Sequence, residues 1–168
     1  MDIRPFLAFQ ATLVPLLIAA TGCDDPASPF VRASAYITDG ASGEVVVAFG
    51  ADPGDWSADP IQVDSAEVRE DVLHVFGTHG GGCEEHEYAA VAWNGWLESN
   101  PVQVGVFIAH EDHDDPCDAL LYPELRFDLD ALRRDYAESY GSGPGRFILR
   151  ITAADEIGSD PTLVEYSF

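Results

Sequence analysis

The chain has 168 residues and a formal net charge of −22, and its basic residues are all arginine. Such an acidic surface argues against nucleic-acid binding, which needs a basic face, and against flat docking on anionic lipid. An apolar fraction of 46% with abundant aromatics argues against disorder.

The chain opens with MDIRPFLAFQATLVPLLIAATG. One basic residue, Arg4, precedes an apolar run from Phe6 to Ala20 that Gln10, Thr12 and Pro15 interrupt. A charged start, an apolar middle and small residues at the end describe an export signal over residues 1–22. The run falls short of the roughly 20 strongly apolar residues that a membrane-spanning helix needs. Pro15 would break a buried globular helix. The end of this segment, Ala20-Thr21-Gly22-Cys23, resembles a bacterial lipobox, in which the chain is cut before a cysteine that receives lipid. Leucine is commoner where Ala20 stands, and an ordinary signal peptidase could cut the same bond. Cysteine arithmetic favours lipidation. The chain has three cysteines, and acylating Cys23 leaves Cys83 and Cys117 as an even pair. Residues 23–29 read as a short tether. The acyl chains on Cys23 would hold the domain at the membrane of a bacterial cell envelope, facing periplasm or exterior.

Residues 30–168 suit a single domain. FVRASAYITD alternates from Phe30 through Ile37, and EVVVAFG, Glu44 to Gly50, is a dense β-branched run. ADPGDWSADP, Ala51 to Pro60, is too rich in Pro, Gly and Asp to be regular. AEVREDVLHVFGT, EYAAVAW, VQVGVFIA, ELRFDL, RFILRIT and the final LVEYSF follow as strands. Between the last of these, Leu129, Leu132 and Tyr136 fall at helical spacing. Asp130 is the expected cap, and GSGPG the stop, of a short helix near 130–140. About eight short strands with one small helix predict an antiparallel β-sandwich, immunoglobulin-like, with a partly closed β-barrel as the alternative.

The stretch GTHGGGCEEHEY places Cys83 and His86 at C-x-x-H spacing, and HEDHDDPC adds His110, His113 and Cys117. In an oxidising compartment paired thiols become disulfides, so the expectation is a Cys83–Cys117 bridge. It would close a loop of about 35 residues, worth at most about 3.8 kcal/mol of chain entropy. A Cys₂His₂ zinc site would need both thiolates, which oxidation removes. A metal held beside an intact disulfide could draw on His86, His110, His113, Glu111, Asp112, Asp114 and Asp115. The plainer reading is a solvated acidic loop with histidines bonded to backbone, and on sequence grounds no metal or other cofactor is favoured. Gly80-Gly81-Gly82 is no phosphate loop. Glycines there allow positive φ and a close approach by a neighbouring strand.

Three segments resemble those of a group of small uncharacterised bacterial lipoproteins. These share Gly-Gly-x-Cys-x-x-His, His-to-Asp-x-Cys and Phe-Asp-Leu-x-x-Leu motifs, matched here by Gly80 to His86, His110 to Cys117 and Phe127 to Leu132. The resemblance implies an exported, β-rich domain with paired cysteines and no established activity. It marks His86 and His110 as the histidines to watch.

No G-x-S-x-G is present, and a disulfide would silence Cys83 as a nucleophile. Trp93 and Trp96 with Tyr88 could stack on a sugar, although such tryptophans more often fill a core. Trp56, in the polar loop, is the better candidate for exposure. The expectation is therefore a non-enzymatic, lipid-anchored envelope domain that binds or scaffolds an envelope or extracellular partner. The alternatives are a metal-binding protein or metal-dependent enzyme using His86 and His110 with nearby acids, and a carbohydrate-binding module.

Overall fold

The computed structural model describes residues 34–168. The export signal, Cys23, the tether and the first residues of the Phe30 strand lie outside the described residues. The elements run β1 (Ile37–Thr38), β2 (Ser42–Glu44), β3 (Val46–Val47), β4 (Gln62–Arg69), β5 (Val72–Gly81), β6 (Glu87–Leu97) and β7 (Val102–Glu111). They continue with β8 (Ala119–Leu121), β9 (Glu124–Asp128), helix α1 (Asp130–Tyr140), β10 (Arg146–Ala153) and β11 (Thr162–Ser167). A six-stranded sheet has the order β1-β6-β7-β10-β11, with β3 also paired to β6. A five-stranded sheet has the order β2-β9-β5-β4, with β8 also paired to β5.

Among the described residues this is the expected two-layer β architecture, with a short helix near the expected 130–140. Most pairings are antiparallel, but β10 runs parallel to β7, β2 to β9 and β3 to β6. The long return through β8, β9 and α1 makes the β7–β10 pairing possible, since parallel neighbours need a crossover rather than a hairpin. β4 packs against β10 and β11, so the layers close on each other along one side.

Three local readings change. Of the run expected as a strand from Phe30, only Ile37–Thr38 is strand among the described residues. Glu44 to Gly50 is not one strand: β2 pairs with the smaller sheet and β3 with the larger. The chain crosses between layers at Val45, which is fully buried. AEVREDVLHVFGT is a hairpin rather than one strand, turning at Glu70 and Asp71 with φ of 49° and 65°. Two central residues at positive φ suit the right-handed twist of the flanking strands.

The main core lies between the sheets. Val104, Val106 and Ile108 of β7 meet Leu73 and Val75 of β5, Leu125 and Phe127 of β9, and Phe147, Leu149 and Ile151 of β10. A second cluster covers the outer face of β6 and β7, where Ala48 and Trp56 pack on Ala89, Val91, Phe107 and Ala109. Both faces of β6 are therefore covered, which explains its unbroken apolar run. Trp56 is only 5% exposed, with its ring 6.0 Å from Phe107 and 6.1 Å from Tyr36. The expectation that it is exposed is corrected: its polar loop folds over an apolar sheet face.

Helix α1 turns Leu132 into the core and sets Tyr136 against Trp96 and Phe147, each at 5.5 Å between centroids. Leu129 occupies the N-cap position, without a side-chain cap bond. Asp128 Oδ1, not Asp130, accepts a helix-start N–H, that of Asp130 at 2.7 Å. Gly141, at φ 101°, ends the helix. Trp96 is half-buried against the core and donates its indole N–H to Asp135 at 2.7 Å.

Candidate functional site

At one end of the sandwich the two sheets bring three histidines together. Inward positions on β5 alternate through Leu73, Val75 and Gly77 to His79, so period-two pleating aims His79 into the space between the sheets. On the opposite sheet Tyr88 of β6 and His110 of β7 are cross-strand partners, and their rings stack at 5.2 Å and 4°. His86 precedes β6 and closes the end of the group. The histidine rings lie 4.4, 4.5 and 5.1 Å apart. Exposure is 4% for His79, 5% for His86 and 1% for His110.

Each ring has one nitrogen fixed by an acceptor outside the group. His79 Nδ1 lies 2.7 Å from Gly80 O. His110 Nδ1 lies 3.3 Å from Asp59 O and 3.2 Å from Pro60 O. These carbonyls come from the irregular segment after Trp56, which β7 holds through bonds from His110 N to Ser57 O and from Asp59 N to His110 O. His86 Nε2 lies 3.1 Å from Asp115 Oδ2. Carbonyl oxygens only accept, so these contacts assign the protons to His79 Nδ1 and His110 Nδ1, and the carboxylate assigns one to His86 Nε2. The other three nitrogens face the centre. His79 Nε2 accepts from the Tyr88 hydroxyl at 2.6 Å. His86 Nδ1 and His110 Nε2 stand 2.8 Å apart. One nitrogen from each ring lies within 4.8 Å of the others.

Burial disfavours the charged form of two of the three rings. Burial, then the neighbouring His79 and His86, lowers His110 to about 4. Burial also lowers His79. The Tyr88 phenol is pushed up by burial, so it stays a donor. Asp115 is held well below the ordinary carboxylate range, foremost by the Glu84 N–H. Its Oδ2 accepts from Gly82, Cys83 and Glu84 at 2.8, 2.9 and 2.9 Å, and its Oδ1 from Cys117 N at 2.8 Å.

The expected Cys83–Cys117 disulfide is formed, with Cα atoms 5.8 Å apart. A Cys₂His₂ zinc site is thereby removed. Of the metal candidates read from the sequence, the structure gathers His86 and His110 and places Asp115 behind His86. His113 stands in the exposed turn after β7, at φ 53°, 3.4 Å from Glu87. Asp114 is exposed beside it. Asp112 belongs to a separate acidic group with Asp59 and Glu111. His79 was missed. It stands in Thr-His-Gly-Gly-Gly, which reads as a turn, yet the two-residue alternation from Leu73 carries through to it.

Gly81 explains the glycine run. At φ 141°, it faces the His86 ring, and a Cβ there would collide with His86 Nε2, lie 2.6 Å from Cε1 and 3.1 Å from Asp115 Oδ2. The closest neighbour of Gly81 is thus a side chain, while strand β8 pairs along Gly80 and Gly81. A cavity of about 420 Å³ borders the group at His86 and Tyr88, and its walls also include Asp39, Glu84, Glu85, Leu121, Tyr122 and Pro123. Tyr88 is 1% exposed, so it offers no sugar-stacking face.

No family model and no curated protein matches the chain. Among solved structures it is similar to a toxin-related protein of Parabacteroides distasonis, at 13% identity and TM-score 0.47, covering 76% of this chain and 60% of that one. It is similar to a protein of unknown function of Bacteroides vulgatus, at 12% identity and TM-score 0.47, covering 76% and 57%. It is also similar to a NigD-like immunity protein of Bacteroides caccae, at 18% identity and TM-score 0.48, covering 80% and 74%. The chain thus spans less than two thirds of the length of the first two.

Proposed function

We propose that this is an exported, lipid-anchored envelope domain that binds a transition-metal ion, zinc in the first instance, through His79 Nε2, His86 Nδ1 and His110 Nε2. The observation that carries the reading is the proton accounting. Each buried imidazole spends its outer N–H on a fixed acceptor, and the unprotonated nitrogens converge; a metal would take His79 Nε2 from the Tyr88 hydroxyl that now donates to it. Metal-bound histidines are oriented in this way, by a carbonyl or carboxylate on the far ring nitrogen. Neutral imidazoles suit zinc, copper and nickel, and three protein ligands leave a fourth position open. Zinc–nitrogen bonds of about 2.0–2.1 Å require the His86–His110 pair to open by roughly half an ångström. The net charge of −22 and the carboxylates lining the cavity favour entry of a cation. The export signal and the disulfide support an oxidising compartment.

A second reading is favoured by the 2.8 Å His86–His110 contact. Two unprotonated nitrogens repel at that distance, and a proton shared between them resolves the conflict. Titration of the purified oxidised protein with zinc, followed by calorimetry and metal analysis, separates the two. The metal reading expects one ion per chain, with affinity lowered at least about a hundredfold in His79→Ala, His86→Ala and His110→Ala and unchanged in His113→Ala. Failure of the native protein to bind stoichiometric zinc leaves the proton reading standing.

A further inference from the structure

We infer that Asp115 is the positioning residue of this centre, that it makes Nδ1 rather than Nε2 the ligand atom of His86, and that the Cys83–Cys117 disulfide holds it in place. The inference rests on the metal reading for its effect on affinity, but the placement of the His86 proton stands apart from any metal.

A histidine offers two nitrogens, and the one facing a permanent acceptor keeps the proton. The acceptor on His86 Nε2 is Asp115 Oδ2 at 3.1 Å, and the side chains are 4% and 1% exposed. Water therefore does not compete for the contact. A carboxylate behind an imidazole also raises the basicity of the opposite nitrogen, which strengthens it as a ligand.

The carboxylate itself has no freedom. Four backbone N–H groups fix it, and two of them belong to the bridged cysteines: Cys83 donates to Oδ2 and Cys117 to Oδ1. The disulfide and the carboxylate thus tie the same two loops twice, once covalently and once through hydrogen bonds. Gly81 leaves the space in which the carboxylate and the ring meet. Leaving Asp115 free to rotate would let both nitrogens of His86 compete for the proton, and only one of the two tautomers points a lone pair at His79 and His110.

A merely structural Asp115 would pin the loop and leave the ring indifferent. The two roles are separated by nitrogen NMR of the His86 ring and by competition titration with zinc, on the native protein, Asp115→Ala, Asp115→Asn and Cys83→Ala/Cys117→Ala. Trp96→Phe, which loses the bond to Asp135 on the far side of the core, serves as a control for general destabilisation. In metal-free native protein His86 Nε2 is expected to carry a proton, whether or not a further proton is shared with His110 across the Nδ1 contact, and in Asp115→Ala the singly protonated ring is expected to divide its proton between both nitrogens. Zinc affinity is expected to fall about 10–100-fold in Asp115→Ala, to recover partly in Asp115→Asn, which keeps an acceptor oxygen, and to fall about tenfold without the disulfide. Trp96→Phe is expected to bind zinc as the native protein does. A native-like His86 tautomer in Asp115→Ala would overturn the inference, as would equal affinity in native protein and Asp115→Ala. Absence of zinc binding in the native protein would remove the metal reading, and the tautomer measurement would still decide the role of Asp115.

Discussion

Replacing Gly81 by alanine tests the geometry of the histidine centre through backbone and packing alone. The new Cβ would meet the His86 ring 2.6 Å from Cε1 and Asp115 Oδ2 at 3.1 Å, on a backbone at φ 141°. A conformation that L residues avoid costs about 1–3 kcal/mol, and forcing atoms into a filled site costs about 1–3 kcal/mol more. The ring cannot swing away cheaply, because Asp115 holds its Nε2 and the His79 and His110 rings pack against it. The expected loss is about 3–4 kcal/mol, a large share of the ~5–15 kcal/mol that stabilises a typical domain. The neighbours supply internal controls. Gly80→Ala meets nothing within 4 Å and has no positive φ, so it should stay within about 0.5 kcal/mol of the native protein. Gly82→Ala carries φ 111° and an ordinary 3.4 Å contact with Ala119, so a loss of about 1–2 kcal/mol is expected from backbone strain. Urea unfolding of the oxidised, metal-free protein measures all three. With a slope of about 2 kcal/mol per molar, Gly81→Ala should lower the midpoint by roughly 1.5–2 M. A Gly81→Ala midpoint equal to that of Gly80→Ala would refute the packing described for His86.

Metal-free protein should lose stability as the medium is acidified. The folded values of His79 and His110 lie below the unfolded value of 6.5, so between 6.5 and about 4 the unfolded chain binds more protons and stability falls with falling pH. For His110 alone the limit is roughly 3 kcal/mol, and His110→Gln should show a shallower decline in urea midpoint across that window; parallel profiles would contradict it. At the other end of the chain, Cys23→Ala should abolish acylation and block lipoprotein processing, read by mass spectrometry of the envelope fraction. Normal processing of that variant would count against the lipid anchor.

The layered β architecture was legible because its central strands carry Val, Ile and Phe at period two, and α1 because Leu132 and Tyr136 repeat at helical spacing. The disulfide was legible from compartment and parity rather than from position. The centre was only half legible. His86 and His110 stood out beside the cysteines, but His79 hid inside a glycine run that looked like a turn. The acceptors for His110 are main-chain carbonyls of Asp59 and Pro60, and side-chain identity gives no sign of such groups. Trp56 was misplaced because a polar loop said nothing of the apolar sheet face beneath it. The crossing at Val45 was hidden by a continuous β-branched run, which reads the same whether its residues stay in one sheet or pass to another.

That crossing has a consequence for local motion. β1, β2 and β3 contain two, three and two residues, and β2 finds its partner only at Arg126–Asp128. Few ladder bonds hold so short a segment, and segments of this kind open well below the global unfolding free energy. Because β2 and β3 serve different layers, releasing this one strap uncovers an edge on both sheets together. Its amides should exchange with solvent as one group, ahead of the long β6–β7 hairpin.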